Sequence, residues 1–138
     1  MQNKCLFLSI LLIAVIILSS CENKTEVEEN MSLVVNIYYN GQNGNAREFA
    51  EEMVSSGIVD KIRAEEGNER YEYFFPMDDE ETVMLIDIWK DQESLDKHHA
   101  SPMMNEIMKL REKYDLHMKV ERFITAKEAN TDQEFIRK

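Results

Sequence analysis

The chain has 138 residues, enough for one domain with short extensions. It carries 27 Asp and Glu against 16 Lys and Arg, a formal charge of −11, and a surface of that sign repels nucleic acid. Its two cysteines, Cys5 and Cys21, fall at the start, so disulfides, thiol catalysis and cysteine metal sites are excluded from everything that follows them.

The first element is a leader. "MQNK" is basic, "CLFLSILLIAVIIL" is apolar, and "LSSC" places small residues before a cysteine. A charged start, a short apolar core and a small-residue cleavage site form a secretory signal. The apolar run, Cys5 to Leu18, is too short for the ~20 residues that span a bilayer. "LSSC" resembles a bacterial lipobox. The expectation is therefore a lipoprotein signal peptide over 1–20, with Cys21 as the lipidated first residue of an exported chain anchored to a cell-envelope membrane. Removal of Lys4 with the leader makes the mature chain more acidic still. Residues 21–31 are polar and acidic and read as a flexible tether.

A folded domain is expected over 32–126. "LVVNIYY", from Leu33, has the β-branched and aromatic content of a strand. "NGQNGN" is turn chemistry, with Asn45 as an N-cap. Ala46, Phe49, Ala50, Met53, Ile58 and Ile62 recur at helical spacing, which predicts an amphipathic helix to about Ala64, weakened at Gly57. "EEGN" closes it, with Gly67 just past the end. "RYEYFF" is a second strand, ended by Pro76. "TVMLIDIW" is a third, apolar on both faces and so central. "KDQESLDKHHA" is a short helix. Ser101 and Pro102 read as N-cap and first residue of the helix "PMMNEIMKLREKY". "LHMKVERFI" alternates as a last strand, and 127–138 is a polar tail with no expected regular structure.

The order β–α–β–β–α(α)–β specifies the split βαβ, ferredoxin-like α+β fold: an antiparallel sheet with helices on one face. Val34, Tyr38, Tyr71, Tyr73, Ile86 and Ile88 make both faces apolar. A second copy of the chain is the simplest cover for the other face, so a homodimer is expected.

Chemistry-bearing residues concentrate between Trp89 and His99. Trp89 shares a strand face with Asp87, Leu85 and Val83. A buried Asp87 needs a partner, and His98, His117 and Lys119 are the available donors; the alternative is a strand-end acid reaching solvent. His98 and His99 point about 100° apart on a helix and have no further ligand three or four residues on, so no metal site is expected. Each could equally be a surface histidine, and Trp89 a core residue. Met103, Met104, Met108 and Met118, with Tyr71, Tyr73, Phe74 and Trp89, could instead line an aromatic-rich cavity.

"EEGN" followed by "YEYF", the strand ending at Trp89, "LDKHHASPMM" and "LREKYDLHMKVERF" resemble the antibiotic biosynthesis monooxygenase (ABM) superfamily, and most of all its quinol monooxygenase branch. The resemblance spans Leu33 to Phe123. It implies a dimeric α+β barrel. It also implies oxygenation of a small quinol or polyphenol by dioxygen, without metal, flavin or haem. Trp89 matches the family tryptophan ending the third strand, and His98 the histidine after "LD". The implied roles are His98 as proton acceptor and Asp87 orienting it, with Trp89, Tyr71 and Tyr73 as a substrate wall. His99, Asn36 and His117 are second choices for substrate contact. The sequence departs from the family at Leu85, where some members carry asparagine. It departs again at Met108, where haem-degrading relatives carry histidine. Alternatives on the same fold are a non-catalytic small-molecule binding or stress module and, further off, a haem-handling protein.

Overall fold

Alternation of apolar side chains fixes the sheet. In a computed structural model, which describes residues 31–126 and 130–137, four strands form. They are β1 (Leu33–Asn40), β2 (Asn68–Phe74), β3 (Thr82–Trp89) and β4 (His117–Ile124). Their order is β2-β3-β1-β4, every neighbour antiparallel. β1 and β3 are central because their side chains are apolar on both faces. The leader, Cys21 and the tether to residue 30 lie outside the described residues.

Register decides which residues share a face. Leu33 pairs with Trp89, Val35 with Asp87, Ile37 with Leu85 and Tyr39 with Val83. Tyr71 of β2 pairs with Asp87 from the other side. These positions point toward the helices and, apart from the partly buried Ile37, are buried. The opposite set, Val34, Asn36, Tyr38, Met84, Ile86 and Ile88, is half-buried, with no helix packed on it.

The helices are α1 (Asn45–Ser55), α2 (Ile58–Arg63), α3 (Gln92–His99) and α4 (Met103–Lys113). One core joins Phe49 and Met53 of α1, Ile58, Val59 and Ile62 of α2, Leu95 of α3 and Ile107 of α4 to the sheet. The ferredoxin-like architecture read from the sequence is the one observed.

Local details differ from expectation. The single helix to Ala64 is two, because Gly57 adopts φ +78 and breaks it. The cap of α1 is Gly44; Asn45 is inside the helix and its Nδ2 donates to the Tyr114 carbonyl at 3.1 Å. α4 starts at Met103, so Ser101 lies one position too early to cap it, and its hydroxyl is buried without a partner. Met108 and Met118 are exposed: the first is turned about 100° from buried Ile107, and the second lies on the edge strand β4. In the tail, Asn130–Phe135 forms a short 3-10 helix, and Phe135 is exposed.

Candidate functional site

The end of β3 and the end of α3 meet. Trp89, the last residue of β3, is fully buried, and His98 in the last turn of α3 is 5 % exposed. Their ring centroids are 5.0 Å apart with a 32° tilt. α3 is aimed there by its cap: the Asp91 carboxylate accepts from the Ser94 N–H and hydroxyl, both at 2.8 Å. Those bonds, the backbone one first, hold Asp91 below the usual carboxylate range.

His98 does not bond Asp87. Its Nδ1 lies 2.6 Å from Glu65 Oε2, a residue in the turn after α2. Asp87 takes its partner from the start of β2, just past that turn, accepting from Asn68 Nδ2 at 3.3 Å. His117 and Lys119, the other expected partners, pair with Asn40 and Tyr38 on the open face of the sheet, with β1 between them and β3. Burial pushes the Asp87 carboxyl up to about 7, the charge of Glu65 adding to the effect. Trp89 and Asn68 pull the other way. The Trp89 indole N–H has no partner in hydrogen-bond geometry.

Tyr71 stands directly across the ladder from Asp87, and its ring meets that of Tyr73 edge to face at 5.8 Å. Burial raises the pKa of both phenols, and the Tyr73 hydroxyl has no hydrogen-bond partner. Tyr39, fully buried, accepts from Arg111 Nη2 at 2.9 Å. The expected wall of Trp89, Tyr71 and Tyr73 therefore shares one layer with Asp87 and His98.

The second choices separate from it. Asn36 lies on the open face, opposite Ile86 and Glu121, with its Oδ1 buried and unpartnered. His117 is exposed on the edge strand. His99 has its ring 5.9 Å from that of His98 but faces outward; partial burial, with His98 beside it, lowers its pKa. No group of three His, Cys, Asp or Glu able to hold a metal occurs among the described residues. Clefts of about 730, 380 and 370 Å³ lie against Phe123 and Ile124, along the β2 edge, and between α1 and β2. None of these three is lined by Trp89 or His98.

Glu65 and Asn68 are the residues of this candidate site that the sequence reading does not single out. The signal available was "EEGN" itself, an acid and an amide flanking a left-handed glycine at a helix end.

The family model for antibiotic biosynthesis monooxygenases matches residues 32–110. Among solved structures, the chain is similar to SnoaB from Streptomyces nogalater, a cofactor-independent oxygenase. Identity is 13%, 72% of this chain and 96% of that one are covered, and the TM-score is 0.59. It is also similar to a Deinococcus radiodurans protein named for antibiotic biosynthesis monooxygenases (13% identity, 71% and 96% covered, TM-score 0.62). A conserved Methanosarcina mazei protein is similar at 21% identity, with 70% and 94% covered and a TM-score of 0.59. At these identities the likeness shows the fold. No curated protein matches the chain. With the family model covering more than half its length, the chain belongs to the antibiotic biosynthesis monooxygenase family.

Proposed function

We propose that this protein is a cofactor-independent monooxygenase of a quinol or related polyphenol, lipid-anchored through Cys21 to a bacterial envelope membrane and working as a homodimer. The observation that carries the reading is the Trp89–His98 pair, an imidazole stacked on an indole in a water-poor layer beside Tyr71 and Asp87. With Nδ1 against Glu65, the second ring nitrogen of His98 is the one left for substrate.

A phenolic O–H gives its proton to His98. The resulting phenolate is electron-rich enough to pass one electron to dioxygen. Recombination forms a C–O bond at a ring carbon, and the hydroperoxide loses water. A quinol and dioxygen thus give a hydroxyquinone and one water. The protein contributes proton transfer, orientation and exclusion of bulk water. For a ring to reach this sealed pair, α3 must move away from Trp89. Support for the dimer is the uncovered sheet face, where Asn36 Oδ1 is buried without a partner and Phe123 is half exposed. Support for the anchor is the "LSSC" leader.

The test is oxygen uptake by the solubilised full chain with a reduced naphthoquinol, under air containing labelled dioxygen. The reading expects one labelled oxygen in the product, and loss of uptake in His98→Ala and Trp89→Ala. Uptake no faster than the protein-free rate, or unaffected by either substitution, removes it.

A further inference from the structure

Four consecutive residues, 65–68, supply the partners of both His98 and Asp87. Glu65 meets His98, and Asn68 meets Asp87. The turn that carries them is fastened to the α3 junction. The Lys90 N–H donates to the Gly67 carbonyl at 2.8 Å. Gly67 sits at φ +87, and a Cβ there would lie 2.2 Å from Ser94 Oγ, so backbone and α3 touch with nothing between them. Glu65 and His98, 33 positions apart, are therefore brought together by the packing of this turn against α3.

We propose that Glu65 is the positioning residue of His98: its carboxylate accepts the Nδ1 proton and so presents Nε2, with its lone pair, as the proton acceptor of the site. The second half of this rests on the monooxygenase reading; the first half does not. A neutral imidazole has one donor and one acceptor nitrogen, and the bond made by one sets the state of the other. An ionised carboxylate only accepts, so a 2.6 Å contact to Nδ1 requires the proton there. The Trp89 ring, stacked at 5.0 Å, opposes rotation of the imidazole that would exchange its nitrogens. When Nε2 takes a proton, the imidazolium lies beside the same carboxylate. Asp87 bonds Asn68, and the Nδ1 of His98 is bonded to Glu65.

The chain has only three histidines, so the ring nitrogens can be read directly in full-length, detergent-solubilised protein labelled with ¹⁵N-histidine. His99→Gln and His117→Gln assign the signals. Neutral His98 is expected to carry its proton on Nδ1 in the wild type. In Glu65→Gln, whose amide oxygen still accepts, the proton stays on Nδ1. In Glu65→Ala it moves wholly or partly to Nε2. A wild-type His98 protonated on Nε2, or an Nδ1 proton unchanged in a folded Glu65→Ala, overturns the proposal. If Glu65→Ala does not fold, the wild type and Glu65→Gln still decide it. Oxygen uptake is the separate arm. With an active wild type, kcat should fall about tenfold to hundredfold in Glu65→Ala with KM little changed, and recover in Glu65→Gln. An inactive wild type removes the monooxygenase reading and leaves the ring-nitrogen result standing.

Discussion

Asn68, paired with Trp89 at the start of β2, reaches diagonally to Asp87, its amide Nδ2 3.3 Å from the carboxylate Oδ1. Trp89 and this neutral donor together do not offset the cost of burying a charge, and the carboxyl is pushed up from 3.8 to about 7. The folded state therefore holds a proton that the unfolded chain releases. The stability this brings is complete below about pH 4 and is lost as pH rises through about 7. Moving the carboxyl from 3.8 to about 7 corresponds to about 4 kcal/mol as an upper bound. Asp87→Asn should remove this part of the pH dependence and leave the protein more stable than wild type at pH 8, by about 2–4 kcal/mol. Urea unfolding at pH 5 and pH 8 measures it; equal pH 5-to-8 differences in variant and wild type would contradict the assignment.

Trp89 is the largest fully buried side chain and the platform for His98. Trp89→Ala should cost about 3–5 kcal/mol through cavity formation. Trp89→Phe keeps an aromatic face and should cost less than half as much. The paired unfolding midpoints check this. A Trp89→Ala loss under 1 kcal/mol would mean that the end of β3 is far looser than its burial indicates.

Parity within a strand is legible in a sequence; register between strands is not. Asp87, Leu85 and Val83 could be placed with Trp89 because they are two, four and six residues before it. Asn36 could not be placed, because its face depends on pairing with Ile86 rather than with Asp87. The same limit hid Glu65. Helical spacing directs attention to the neighbours of His98 at three and four positions, whereas its partner comes from a turn 33 residues earlier, brought in by the packing of α3 against β3. Helix breaks are more legible, since Gly57 reads as a weak point from its residue type alone.

Gly67 tests whether the turn and α3 form one body. Alanine there meets two costs: a positive φ, and a Cβ 2.6 Å from Ser94 Cβ, which belongs to the helix rather than to a flexible tip. Gly67→Ala should destabilise the protein by about 2–4 kcal/mol. It should also shift the His98 ring resonances, because α3 must move. Gly57→Ala is the comparison, since Gly57 also has positive φ but open space around it, and it should cost about 1 kcal/mol. Equal losses at the two positions would show that only backbone conformation matters at Gly67.

Arg63 guards an edge. β2 is an outer strand, and outer strands offer unpaired carbonyls to other chains. Arg63 donates from both Nε and Nη2 to the Tyr71 carbonyl, at 2.9 and 2.8 Å, and so occupies that acceptor with a fork no incoming strand can displace without loss. Tyr71 itself is buried across from Asp87, so the bond ties the edge to the layer that holds the site. Arg63→Ala should cost only about 1 kcal/mol, because the guanidinium is half exposed and water can replace it. Its larger effect should be kinetic: faster amide exchange along 68–74 and slow self-association on warming. Hydrogen exchange with light scattering reads both. Exchange confined to wild-type rates across β2 would show that the strand is held by β3 alone, and that the arginine decorates an edge already secure.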